Sequence, residues 1–137
     1  VDSREARTAI EGLFGDNQRL NLGWMVSEQV LPKQAIKVLL NLALIGGDAL
    51  IRGGQLDIGA EIVDDTIEIG VRAEGPRIVL DGELRNALLG ESGDAPVTPR
   101  AAAAFLAHEL VAQGGGAIQV SPPDADILVF GASFRAG

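Results

Sequence analysis

The chain has 137 residues, 47% of them hydrophobic, which suits one domain around one packed core. Its formal net charge is −8, from 19 acidic and 11 basic residues, and this argues against non-specific nucleic-acid binding, which needs Lys and Arg to neutralise phosphates. With no cysteine and one histidine, His108, neither a disulfide framework nor a thiolate or multi-histidine metal site can form, and a Ser-His-Asp hydrolase is poorly supplied.

Val1-Asp2-Ser3-Arg4-Glu5 shows no basic stretch leading into an apolar run, so no signal peptide is expected. Asp2 with Glu5 three residues on reads as a capping box, and a helix is predicted from Ser3 to Phe14 with Ala6, Ile10, Leu13 and Phe14 on one face. Gly15-Asp16-Asn17 ends it. Leu20, Leu22, Trp24 and Val26 then alternate with Asn21, Gly23 and Met25, the period of a strand, although Met25 blurs the polar face.

Pro32 opens the longest predicted helix, Pro32 to Leu50, because proline's missing N–H has no partner in a first turn anyway. Its residues are apolar on most faces, so it should be largely buried. Its polar residues form a stripe of Lys33, Lys37, Asn41 and Asp48, with Leu44-Ile45 where the spacing calls for another polar group. The apolar stretch around Val38–Gly47 is too short and too polar to span a bilayer, and a cytoplasmic protein is expected.

After Arg52-Gly53-Gly54, two strands are read from Leu56, Ile58, Ala60 and Ile62 and from Ile67, Ile69, Val71 and Ala73, joined as a hairpin at Val63-Asp64-Asp65. Glu74-Gly75-Pro76 is a turn. Ile78-Val79-Leu80 fits either a short strand or the entry to a helix over Glu83–Leu89. Gly90–Pro96 is the clearest loop. Thr98 is expected to cap a helix with Pro99 at its first position, running to about Gln113 and stopped by Gly114-Gly115-Gly116. Strands at Ala117–Ser121 and Asp126–Phe134, about a turn at Pro122-Pro123-Asp124, close the chain as a hairpin. No internal repeat is present. This order predicts an α+β two-layer sandwich: a mixed, mostly antiparallel sheet with helices on one face.

The run Ile36-Lys37-Val38-Leu39-Leu40-Asn41-Leu42 resembles the start of the N-box in ATPase domains of the histidine-kinase, Hsp90, gyrase and MutL class, and the later elements follow that domain's order. More narrowly, Trp24, Leu31-Pro32-Lys33, Leu40-Asn41-Leu42, Arg52-Gly53-Gly54, Gly75, Ala87-Leu88-Leu89-Gly90 and Thr98-Pro99-Arg100 resemble the C-terminal domain of the bacterial histidine phosphotransferase family. The resemblance implies a phosphorelay protein. It implies a homodimer built by an N-terminal helical hairpin that carries the phospho-accepting histidine, and a C-terminal domain that has lost ATP and docks response-regulator receiver domains. No such hairpin is visible in this chain, so residues 1–14 are expected to be the connecting helix and residues 15–137 the degenerate ATPase-like domain.

The resemblance also marks where the ATP residues would stand. The second N-box asparagine, a Mg²⁺ ligand, falls on Ile45, which offers no oxygen to a hard cation. The Asp-x-Gly-x-Gly turn falls on Ala73-Glu74-Gly75-Pro76-Arg77, so the adenine-binding Asp is Ala73 and the second Gly is Arg77. Glu74 does not substitute, since one position along a strand points to the opposite face. The lid segment Gly90–Pro96 has no Gly-x-Gly pair and carries Glu91 and Asp94, which would repel a triphosphate. Neither cofactor nor metal is expected.

Several features have two readings. His108-Glu109-Leu110 resembles a phosphorylation box, but no proline follows at the expected offset and the helix runs into glycines, so His108 is read as structural rather than as the acceptor. Asn41 is read as a buried residue bonding backbone, with a nucleotide-site relic as the alternative. Trp24 is read as filling a core edge rather than anchoring a partner. Lys33 and Lys37 are read as a solvated face, Ala101–Ala104 as a close-packing helix face, and Gly114–Gly116 as a helix stop, because no Lys-Ser/Thr follows. The functional expectation is a non-ATP-binding receiver-docking domain. The alternatives are a divergent active ATPase or kinase of the same fold and an unrelated ligand-binding α/β module.

Overall fold

Runs with an apolar residue at every second position form the five strands of one sheet. The computed structural model describes residues 2–14, 19–27, 30–91 and 98–135, apart from the Arg100 side chain. The strands are β1 (Leu20–Val26), β2 (Gly54–Val63), β3 (Thr66–Glu74), β4 (Ala117–Val120) and β5 (Leu128–Arg135). Their spatial order is β1-β2-β3-β5-β4. Only the β1–β2 pair is parallel, and the others are antiparallel. The helices are α1 (Ser3–Phe14), α2 (Lys33–Ala49), α3 (Gly82–Leu89) and α4 (Ala102–Gln113).

Alternation decides which face is covered. Leu56, Ile58 and Ala60 of β2, Ile67, Ile69, Val71 and Ala73 of β3, and Leu128, Phe130, Ala132 and Phe134 of β5 are buried beneath the helices. The other face is open. Across its middle the register aligns Gly59 with Gly70 and Gly70 with Gly131. None of these three takes a positive φ, and a Cβ on Gly70 or Gly131 would meet nothing within 4 Å.

The helix α2 crosses from β1 to β2 and is the centre of the core. Leu39, Leu42 and Ala43 are fully buried, whereas Lys33, Lys37 and Asp48 are exposed. The parallel β1–β2 pair needs this crossover, since a tight turn cannot join parallel strands. The helix α1 adds Ala6 and Ile10 to the same core, so residues 2–14 pack as part of the domain. Asp2 forms a bridge with Val30, and the Phe14 ring lies over Gly47, which has no Cβ to block it.

Local chemistry accounts for the element ends, with two differences from the sequence expectation. Asp2 caps α1 through the Arg4 N–H at 2.8 Å, while the Glu5 N–H goes to the Asp2 backbone carbonyl, so a simple side-chain cap forms in place of the capping box. Thr98 does not cap a helix with its side chain. Pro99–Ala101 form a single 3-10 turn, α4 begins at Ala102, and the Thr98 hydroxyl donates to the Glu83 carboxylate. Proline's fixed φ suits that tight first turn equally well. The ambiguous segment resolves into both options in sequence: Ile78 bridges Leu50, and then Asp81 caps α3 through the Glu83 N–H at 2.8 Å. The helix ends at Gly90, in the left-handed conformation at φ 74°. The hairpin residue Asp64 takes φ 56°, a conformation that Asp tolerates. Gly15–Asn17 and most of the Gly90–Pro96 loop lie outside the described residues.

Candidate functional site

The C-terminal half of α2, the segment 79–81, α3 and the start of α4 enclose a groove of 450 Å³. Its walls are mostly apolar: Ile45, Ile51, Val79, Leu84 and Ala103 line it. Backbone bonds hold it open. The Ala49 carbonyl accepts from Val79 N–H at 2.9 Å, and the Arg77 carbonyl from Ile51 N–H at 3.2 Å, so the segment after β3 is strapped to the end of α2. Two carboxylates, Asp48 from α2 and Asp81 from the α3 cap, stand at its margins. Asp48 is exposed, yet the apolar groove beside it pushes its carboxyl above the ordinary carboxylate range by desolvation.

The sequence-predicted positions are only partly gathered here. Ile45 lines the groove, with 5% of its surface exposed. Leu44, half-buried, is the apolar residue that fills the gap in the polar stripe of α2, while Ile45 turns inward. Asn41 is half-buried rather than buried, and among the described residues it has no hydrogen-bond partner, so the expected backbone bond is not made. The reason is its position on the stripe that also carries Lys37, which reaches solvent instead of a strand. Ala73 is buried in β3 opposite Leu56 and Leu128. Glu74 is exposed on the other side of the strand and pairs with Arg72 at 3.3 Å. Gly75 has a packing reason of its own: a Cβ there would strike the Gly53 carbonyl, where the starts of β2 and the end of β3 converge. Arg77 is exposed.

His108 is tied to the fold. Its ring is half-buried on α4, with Nδ1 3.2 Å from the Leu88 carbonyl. A Cβ on Gly90 would lie 2.5 Å from its Cε1, so the imidazole packs directly under the C-terminal turn of α3. Trp24 is half-buried against the core edge. In the alanine run, Ala101 and Ala104 are buried, which lets α4 approach closely. Gly116 meets the Ser133 carbonyl where a Cβ would stand, so the glycine triplet serves a close crossing of β5.

A family model described as the histidine phosphotransferase C-terminal domain matches residues 3–126. The chain belongs to that family. It is 25% identical over 128 residues to the protein phosphotransferase ChpT of Brucella abortus (strain 2308), covering 93% of this chain and 61% of the relative. A solved bacterial phosphotransferase superposes with a TM-score of 0.82 at 24% identity, over 96% of this chain and 63% of that one. The catalytic domain of the histidine kinase ThkA superposes with a TM-score of 0.68 at 17% identity, over 98% and 92%. The histidine phosphotransferase domain therefore has the histidine-kinase ATPase-like fold, and it spans under two thirds of the length of the phosphotransferases it matches.

Two positions where the resemblance expects nucleotide-binding side chains carry none in this phosphotransferase domain. Ile45 presents a hydrocarbon chain to the groove, and Ala73 has no side-chain acceptor. Among the described residues no group of three or more His, Asp or Glu could hold a metal ion, and no helix is long and apolar enough to cross a membrane. Little of the groove is marked in the sequence: Ile51 and Asp81 fall between predicted elements, Val79 lies in the undecided stretch, and Leu84 is read only as part of a helix over Glu83–Leu89. A signal was available in Ile51 and Val79, large apolar residues beside turn residues that turn out 56% and 48% exposed.

Proposed function

We propose that this domain is the non-ATP-binding half of a cytoplasmic histidine phosphotransferase in a two-component phosphorelay, where it docks response-regulator receiver domains. The family match over residues 3–126 carries this reading. In the proposed reaction a receiver's aspartyl phosphate gives its phosphoryl group to an imidazole nitrogen of the phosphotransferase, and a second receiver's aspartate then takes it. The acceptor histidine belongs to a helical hairpin that also forms a homodimer, and His108 acts as a structural residue. The Leu88 carbonyl beside its Nδ1 and the packing against Gly90 support that assignment.

The apolar groove supports the absence of ATP. A triphosphate needs cations or backbone N–H groups aimed at it, and Asp48 and Asp81 at this margin would repel it. Two measurements test the proposal. Calorimetry of the chain with Mg-ATP should show no saturable heat, and micromolar binding would instead favour an active ATPase. Phosphoryl transfer from a phosphorylated receiver to the full-length protein should survive His108→Ala, and loss of the acid-labile label in a folded variant would refute the assignment.

A further inference from the structure

The groove between α2 and α3 joins an apolar wall to two carboxylates, Asp48 and Asp81, with no cationic side chain in its lining. Its volume of 450 Å³ falls within the range of small-molecule pockets, about 300–1,000 Å³. Ile45, Ile51, Val79 and Leu84 give it an apolar wall, and Ile51 and Val79 are left 56% and 48% exposed. Exposed apolar surface gathered in a concavity gains free energy when an apolar body covers it. Asp48 stands at the mouth, and among the described residues it has neither an ion pair nor a hydrogen bond. Arg72, the cation of β3, is held by Glu74 on the far face of the sheet, and Arg85 of α3 donates to the Ser121 carbonyl at 2.7 Å. The carboxylate at the mouth is thus left for a charge that comes from outside.

We infer that this groove binds a small organic cation, a protonated amine on an apolar body, with the body against Ile45, Ile51, Val79 and Leu84 and the ammonium at Asp48. Two backbone bonds tie segment 77–79 to residues 49–51 along this wall. Burial of a carboxyl edge raises its proton affinity, and an ammonium beside it reverses that effect. The inference concerns the groove alone and holds whether or not the domain docks receivers.

The test is a titration of the chain, followed by methyl NMR, with three matched probes at pH 7: 4-phenylbutylamine, the neutral 4-phenylbutanol and the anionic 4-phenylbutyrate. The amine should bind saturably, shifting the methyls of Ile45, Ile51, Val79 and Leu84. It should bind about three- to fivefold more tightly than the alcohol, the size expected of an ion pair at an exposed carboxylate. The anion should bind most weakly. Asp48→Asn should abolish the preference for the amine while leaving the alcohol's affinity in place. Equal affinities for all three probes, shifts located away from the groove, or an amine preference that survives in Asp48→Asn would overturn the inference. So would binding only of a Lys- and Leu-containing peptide, which would mark a protein-docking surface.

Discussion

Ile45→Asn places an amide where the family's ATP-binding kin carry one, and the structure sets its consequence. Ile45 is 5% exposed and packs between the helices and the groove. Removing a buried isoleucine forfeits about 1.5–3 kcal/mol of burial. An amide that finds no partner at that depth adds about 1–3 kcal/mol, and a bond to the Asn41 amide, four residues back on the same helix, would offset part of that. The expected loss is on the order of 3–5 kcal/mol, against about 0.5–1.5 kcal/mol for Ile45→Val. A domain of this size has about 5–15 kcal/mol in total, so the variant should stay folded but melt early. Urea titration measures both variants, with an unchanged m-value confirming that the same native state unfolds. An Ile45→Asn variant as stable as Ile45→Val would refute the claim that this position belongs to the core. Mg-ATP should still give no binding to Ile45→Asn, because Ala73 and Arg77 are unchanged.

Gly90→Ala should destabilise by about 1–2 kcal/mol, since it forces a side chain into φ 74° and against the His108 ring. In a His108→Ala background the steric part disappears, so thermal melts of the double-mutant cycle should show a smaller penalty; strict additivity would show that the ring does not pack there. Asp48 has a carboxyl pKa raised by desolvation, so the folded state binds its proton more tightly than the unfolded chain and stability falls as pH rises through the ordinary carboxylate range. Asp48→Asn should therefore stabilise the domain at pH 7, with the gain vanishing below that range; a gain that persists in acid would contradict the desolvation account. Gly70→Ala should stabilise by about 0.4–1 kcal/mol by chemical denaturation, because the new methyl meets open space and the unfolded chain loses freedom. A loss of stability there would mean that the open sheet face is not open.

The fold was legible because the strands obey period two without exception on their covered side: Leu56, Ile58 and Ala60, then Ile67 through Ala73, needed no tertiary information. The long helix was equally plain from Pro32 and its apolar mass. The family was legible from Asn41 and the glycine-bearing turns in their order. The site was legible only in its losses. Ile45, Ala73 and Arg77 say what a nucleotide would lack, but the groove arises where residues 51, 79–81, 84 and 103 meet, and no spacing along the chain announces that meeting. Asn41 misled for a related reason: its place on a mostly apolar helix suggests burial, while the angular position it shares with Lys37 turns it toward water. Thr98-Pro99 carried a true helix-start signal, but the Glu83 carboxylate, fifteen residues back, takes the hydroxyl that would have capped it.

The aligned glycines Gly59, Gly70 and Gly131 also govern how water reaches the sheet. Elsewhere on the outer face, side chains such as Glu68 and Arg72 shade the ladder bonds from above. At Gly70 and Gly131 no side chain does, so amide protons in mid-strand are open to solvent from above. Hydrogen exchange should then run faster along a transverse stripe through the centre of the sheet than in the rows on either side.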